Sequence, residues 1–130
     1  MDVSYLVSRD TVERKLKLIQ YIISNNSDNF VFRSDLPKNE ATLIALGFRP
    51  NDAIEVIKGL VVEDYSKGPE KGKSNTRNVQ EEIWFFGKRV EGFKTMEVYI
   101  KFSIYETNQN TTCYCISFHE AEFEINYPLK

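Results

Sequence analysis

The chain has 130 residues and a single histidine, His119. An imidazole has an ordinary pKa of about 6.5, so it can give or take a proton near neutral pH. His119 ends a run of alternating residues at 111–119, and a second such run lies upstream at 97–105. In a strand, alternate side chains point to opposite faces. The upstream run therefore puts Val98, Ile100, Phe102 and Ile104 on a core face. Glu97, Tyr99, Lys101, Ser103 and Tyr105 fall on the other. The same rule predicts Thr112, Tyr114, Ile116 and Phe118 on the core face of the second run, with Thr111, Cys113, Cys115, Ser117 and His119 opposite. A hairpin turning through 106–110, near Gln109, sets 99 against 119 and 101 against 117. Directly paired side chains have Cβ atoms about 4.5–5.5 Å apart. An imidazole, a phenol and an ammonium thus share one uncovered sheet face. Such a set suits cleavage of an RNA phosphodiester by its own 2′-hydroxyl. That reaction needs a base, an acid and positive charge at the phosphate, and no metal. A hydrogen-bonded surface histidine beside an ordinary Tyr/Lys strand face is the competing reading.

Other constellations carry less. Cys113, Cys115 and His119 suggest metal ligands, but residues six apart in a strand are separated by about 20 Å. They cannot close on one ion, and no metal site is expected. The cysteines read as packing residues, and their spacing is poor for a mutual disulfide. Gly68-Pro69-Glu70-Lys71-Gly72-Lys73 is basic and glycine-spaced, but no helix signal follows it, so a nucleotide-binding loop is not expected. One histidine and scattered Ser and Asp do not make a triad. Glu81-Glu82 and Glu120/Glu122 are expected to solvate strand ends.

The elements that must position these groups read as helices first and strands second. Over 9–24 the apolar residues Val12, Leu16, Ile19 and Ile23 form one helical stripe, with Asp10 and Glu13 as a capping box. Phe30-Val31-Phe32 is a short extended piece or an anchor. A second helix is predicted over 38–46, between Pro37 and a stop at Gly47. A third follows from Pro50, buries Ala53, Ile54, Ile57 and Leu60, and ends at Gly59. Strands are predicted over 60–65, 82–90, 97–105 and 111–119, with an edge piece over 122–127. Residues 66–80 read as a long polar loop holding Lys67, Lys71, Lys73 and Arg77. This order predicts an α+β fold, with N-terminal helices on one face of an antiparallel sheet, in one domain over 1–130.

Composition sets the outer limits. Hydrophobic residues make up 42% and charged residues 28%, enough apolar side chain for one ordinary core. The net charge of −2 is uneven: residues 67–101 carry 8 basic and 5 acidic side chains, while 102–130 carry 1 and 4. Whole-molecule attraction to a polyanion is absent, so any grip on phosphate must be local. No apolar run approaches the roughly 20 residues of a membrane span. The start Met1-Asp2-Val3-Ser4 shows no signal-peptide pattern. With two cysteines placed for packing, a reducing, cytoplasmic setting is expected.

Four stretches then resemble a known family. They are Gly59-Leu60 with Asp64-Tyr65-Ser66-Lys67, then Glu82-Ile83-Trp84-Phe85-Phe86-Gly87-Lys88, then Val98-Tyr99-Ile100-Lys101, and last Cys115-Ile116-Ser117-Phe118-His119. In this order they are similar to the MqsR family of type II toxin–antitoxin toxins, within the RelE-like fold. The resemblance covers roughly residues 50–119. It implies an mRNA interferase that needs no metal or other cofactor, with single-stranded mRNA as substrate and a cognate antitoxin as protein partner. It implies roles for Lys67, Tyr99 and His119, the last at a position held by lysine in the best-known member. Phe85 stands where that member has glutamine, which removes one polar contributor. With Lys101 added from the strand geometry, Lys67 and Lys101 are expected to hold the phosphate while Tyr99 and His119 move protons. Lys71, Lys73 and Arg77 would steer the RNA strand, with Lys88 as a further contact. Trp84, Phe85 or Phe86 would stack a base, at least two of the three being needed for the core. The alternative is a non-catalytic RelE-like module that binds protein or RNA.

Overall fold

The computed structural model describes residues 7–130. The opening stretch read for a signal peptide lies outside them. Helix α1 (Arg9–Asn25) is capped by Ser8, whose hydroxyl accepts from the Thr11 amide at 3.1 Å. Asp10, the expected cap, sits inside the first turn, where a carboxylate still favours the helix dipole. Its buried stripe is Val12, Leu16, Ile19 and Ile22. Ile22 takes the place expected for Ile23, which is only partly buried. Strand β1 (Phe30–Phe32) leads into α2 (Pro37–Leu46), which ends where Gly47 turns left-handed at φ 72°. The ring of Phe93 packs against the open side of Gly47, so a side chain there would meet both strain and a clash. Helix α3 (Pro50–Lys58) is capped by the Asp52 carboxylate, which accepts from the Arg49 amide at 2.8 Å.

Four strands follow: β2 (Tyr65–Lys71), β3 (Val79–Glu91), β4 (Thr95–Thr107) and β5 (Thr111–Glu120). The sheet order is β1-β5-β4-β3-β2. All pairs are antiparallel except β1, which runs parallel to β5, so the sheet is mixed rather than purely antiparallel. The helices cover one face, where α1, α2 and α3 bury their apolar sides on Trp84, Phe86, Val98, Ile100, Phe102, Ile104 and Phe118. Each fully buried side chain of this size contributes about 1.5–3 kcal/mol. The architecture is α+β, with N-terminal helices ahead of the sheet.

Three expectations fail locally. Residues 62–64 form a 3₁₀ turn, and the strand predicted at 60–65 begins at Tyr65. The supposed loop 66–80 is sheet at both ends, β2 running to Lys71 and β3 starting at Val79, and only 72–78 connect them. β2 is an edge strand exposed on much of its surface, so it carries no apolar alternation by which to recognise it. Residues 122–127 form no strand. Instead the tail lies over the uncovered sheet face: Ala121 N–H bonds the Glu97 carbonyl at 2.8 Å, Tyr127 donates to the Glu97 carboxylate, and Ile125 is buried. Gly87 makes room for Ile125 and Tyr127, because a Cβ there would come within 2.8 Å of both side chains.

The largest departure lies in β5. Lys101 pairs with Ser117 but Phe102 pairs with Cys115, leaving Ile116 as a bulge. The bulge reverses the facing of the strand before it. Cys113 and Cys115 point into the core and are completely buried, whereas Thr112 and Tyr114 share the uncovered face with Ser103 and Tyr105. β1 is too short to cover β5 beyond Cys115, so α2 supplies partners for that edge. Asn39, 1% exposed, donates to the Arg33 and Ile116 carbonyls, both at 2.8 Å, and accepts from the Phe118 amide at 2.9 Å. Thr42 accepts from the Glu120 amide at 2.9 Å. Every one of these polar backbone groups would otherwise be stranded at a strand edge.

Candidate active site

Two rows of residues cross the uncovered face. Lys67 of β2, Phe85 of β3, Lys101 of β4 and Ser117 of β5 are paired in sequence across four strands. The neighbouring row is Gly87, Tyr99 and His119. Tyr99 and His119 stand directly opposite, with ring centroids 5.4 Å apart and planes tilted by 37°. Sequence reasoning placed both pairs, 99 with 119 and 101 with 117. The hairpin itself turns half a residue earlier than assumed, and the Ile116 bulge restores the register beyond it.

Each group has a definable state. His119 is half-buried at the rim of a 240 Å³ hollow between α2 and the tail. Its Nδ1 lies 3.0 Å from the Glu120 carbonyl oxygen. That contact suits an Nδ1–H tautomer, which leaves the Nε2 lone pair free to accept a proton. Burial raises the Tyr99 phenol above its ordinary pKa, and the Glu70 carboxylate raises it further. Tyr99 is therefore a neutral hydrogen-bond donor at physiological pH. Phe85, 5% exposed, forms the floor. The Lys67 ammonium lies 4.5 Å from its ring centroid and that of Lys101 lies 5.8 Å away, both inside cation–π range. Lys67 also meets Glu70 at 3.6 Å, an exposed pair worth little by itself. Among the described residues Lys101 has no ion-pair partner. The exposed ring of Phe123, from the tail, closes the far side of Tyr99 at 5.9 Å.

The remaining candidates separate by face. Trp84 is 1% exposed on the helix side, where its indole N–H donates to Glu82 at 3.0 Å and the Lys15 ammonium covers its ring. It has no surface left to stack a base, and Phe86 is equally enclosed. Phe85 faces the right way but lies under the two lysines, so it holds ammonium groups rather than a base. Lys88 points to the helix side and pairs with Asp64 at 3.4 Å, across the sheet from His119. Lys71, opposite Glu82, sits toward that same side at the sheet edge, while Lys73 and Arg77 are exposed in the β2–β3 connection. Cys113 and Cys115 are on the core side, so they and His119 cannot share an ion. Burial pushes the Cys113 thiol up to about 12.

Several contributing residues escaped the sequence reading. Asn39 and Thr42 anchor the strand that bears His119, yet polar residues inside an amphipathic helix give no signal of that duty. Glu81 was expected at a solvated strand end but is buried. Burial pushes its pKa up, while hydrogen bonds from Ser103 and the Ser74 amide outweigh that effect and hold it below the usual carboxylate range. Glu82 is half-buried in an ion pair with Lys15 at 3.0 Å.

Among the described residues no helix is long and apolar enough to cross a membrane. Comparison with curated proteins and with solved structures found no match. A family model described as "motility quorum-sensing regulator, toxin of MqsA" matches residues 11–120. That span runs from α1 to the end of β5, includes Lys67, Phe85, Tyr99, Lys101 and His119, and leaves out the tail. The chain belongs to the MqsR toxin family, the toxins of a toxin–antitoxin system.

Proposed function

We propose that the protein is an endoribonuclease that cleaves single-stranded mRNA through attack of the substrate's own 2′-hydroxyl. The observation that carries this reading is the pairing of Tyr99 with His119 one row away from Lys101 and Lys67. His119 Nε2 takes the 2′-hydroxyl proton, the 2′-oxygen attacks phosphorus, and the bond to the 5′-oxygen breaks. The neutral Tyr99 phenol gives its proton to the departing 5′-oxygen, Lys67 and Lys101 neutralise the phosphoryl oxygens, and the His119 imidazolium returns a proton to the phenolate before the next turnover. The products are a 2′,3′-cyclic phosphate and a 5′-hydroxyl. Every proton has a named carrier, so the step calls for no metal or other cofactor. Lys71, Lys73 and Arg77 would steer the RNA strand, and added salt would weaken that contribution. The substrate and the free, buried thiols fit a cytoplasmic setting, where a cognate antitoxin would hold the toxin in check.

Incubation of purified protein with mRNA and EDTA tests the reading. Cleavage with cyclic-phosphate ends is expected, reduced about 10²–10⁴-fold in His119→Ala. Equal cleavage by both proteins would remove His119 from the mechanism. Failure of the folded wild type to cut any mRNA would leave a non-catalytic binding module in its place.

A further inference from the structure

We propose that a second cavity on the uncovered face is a nucleobase-binding subsite, which holds one base of the RNA away from the scissile phosphate. The proposal rests on RNA being the substrate. The cavity has a volume of about 330 Å³ and is lined by Arg33, Ser103, Tyr105, Thr112, Tyr114 and Ile116. The Ile116 bulge lets it coexist with a buried Phe118: with Phe118 held in the core, an unbulged strand would turn Tyr114 inward and a cysteine outward. β-Bulges often re-aim side chains beside functional sites.

Three features select a base as occupant. First, the volume lies at the small end of the range of about 300–1,000 Å³ for small-ligand pockets, suited to one planar ring. Second, the walls are aromatic and rigid. Tyr105 and Tyr114 meet edge to face, with centroids 5.5 Å apart, and leave ring surface toward the cavity. Below them the Ser103 hydroxyl is tied to the buried Glu81 carboxylate, which also accepts from the Ser74 amide at 3.0 Å. Third, the charge is balanced. The Arg33 guanidinium is held flat by Asp35 through two hydrogen bonds of 2.9 Å each. The paired guanidinium offers a planar surface and donors without a free cation, which favours an uncharged base over a phosphate.

Position supports the assignment. Ser103 and Tyr105 follow Lys101 on the same face of β4, two and four residues on, or about 7 and 13 Å along the strand. An RNA strand with its scissile phosphate at Lys101 and its backbone along β4 would bring a nearby base over Tyr114. Stacking on aromatic side chains is how proteins commonly hold unpaired bases.

The test uses the full chain with RNA oligonucleotides taken from a transcript it cleaves, each with a 2′-deoxy sugar at the cut site to prevent cleavage. Abasic sugars replace one nucleotide at a time, and affinity is measured for wild type, Tyr114→Ala and Tyr114→Trp. In the wild type, one abasic position outside the scissile step should weaken binding about 5- to 150-fold. That penalty should vanish in Tyr114→Ala and persist in Tyr114→Trp. Penalties at the other positions should stay unchanged. The comparison is internal to each variant, so partial unfolding of Tyr114→Ala scales all oligonucleotides alike. A Tyr114→Ala profile identical to that of the wild type overturns the subsite while leaving the nuclease reading intact. A wild type that neither cuts nor binds RNA overturns both.

Discussion

Substitution of Phe85 by leucine isolates the aromatic contribution to the proposed phosphate clamp. Leucine keeps most of the apolar floor, and shape changes of this kind usually cost less than about 1.5 kcal/mol. It removes the ring quadrupole that attracts two ammonium groups. The Lys67 ammonium lies 4.5 Å from the ring centroid and its side chain is 60% exposed. Solvent screening therefore places this contact in the exposed range, about 0.5–1 kcal/mol. Lys101, at 5.8 Å, is near the limit of the interaction and contributes less. Phe85→Leu should thus lower stability by about 1–2 kcal/mol in all. A double-mutant cycle with Lys67→Met should return a coupling of about 0.5–1 kcal/mol, measured by urea unfolding at low salt. Loss of the Lys67–Glu70 pair occurs in both backgrounds and cancels. The cycle with Lys101→Met should give a smaller coupling. Cleavage assays should show KM for RNA raised about 2- to 5-fold by the loosened clamp. Zero coupling to Lys67, or a larger coupling to Lys101, would refute the claim that this ring holds the lysines.

Glu81 has a folded pKa below its ordinary 4.5, so its stabilisation is complete above that value and disappears as pH falls through the lowered one. Glu81→Gln should cost about 1–2 kcal/mol at pH 7 and should flatten the acid limb of a melting-temperature profile taken from pH 6 to pH 3. Asn39→Ala should destabilise the fold by about 3 kcal/mol, because it strands the Ile116 carbonyl and the Phe118 amide. Hydrogen exchange at Phe118 should accelerate selectively, and cleavage should fall with the displaced His119 strand. Cys113 and Cys115, both buried and with thiols pushed upward, should resist alkylation at pH 8 in the folded chain and react fully in urea.

The geometry divides labour between the two sheet faces. The helix side holds the apolar core and absorbs Trp84, Phe86, Lys88 and both cysteines. The other face carries the polar rows. It is partly roofed by the tail, which anchors through Glu97 and over Gly87 and brings Phe123 against Tyr99. The 2.9 Å bond from the Glu120 amide to Thr42 fixes the backbone next to His119, so the imidazole is positioned from α2 as well as from β4. The tail lies beyond the residues matched by the family model.

Local chemistry alone determined the helices, the order of helices before strands and the central hairpin. The stripe of α1, the left-handed stop at Gly47 and the alternation of β4 each express a preference that neighbours in the chain can state. The opposition of Tyr99 and His119 was also read from alternation and a hairpin, but the turn alone would set Tyr99 against Phe118, and the Ile116 bulge moves the pairing on by one residue to His119. What remained hidden depends on partners distant in the chain. β2 is a polar edge strand and shows itself only through its pairing with β3. β1 was legible as an extended piece, but its parallel pairing with β5 was not. The bulge at Ile116 is decided by competition for the core: once Asn39 takes up the Ile116 carbonyl and the Phe118 amide, two small buried thiols fit beneath the helices and Tyr114 is turned outward. Period-2 counting cannot detect an extra residue of this kind, because a single insertion exchanges the two faces without altering composition. The sides taken by Trp84 and Lys88 were hidden for another reason: β3 pairs regularly with β4, and only the packed helices decide which of its faces is buried.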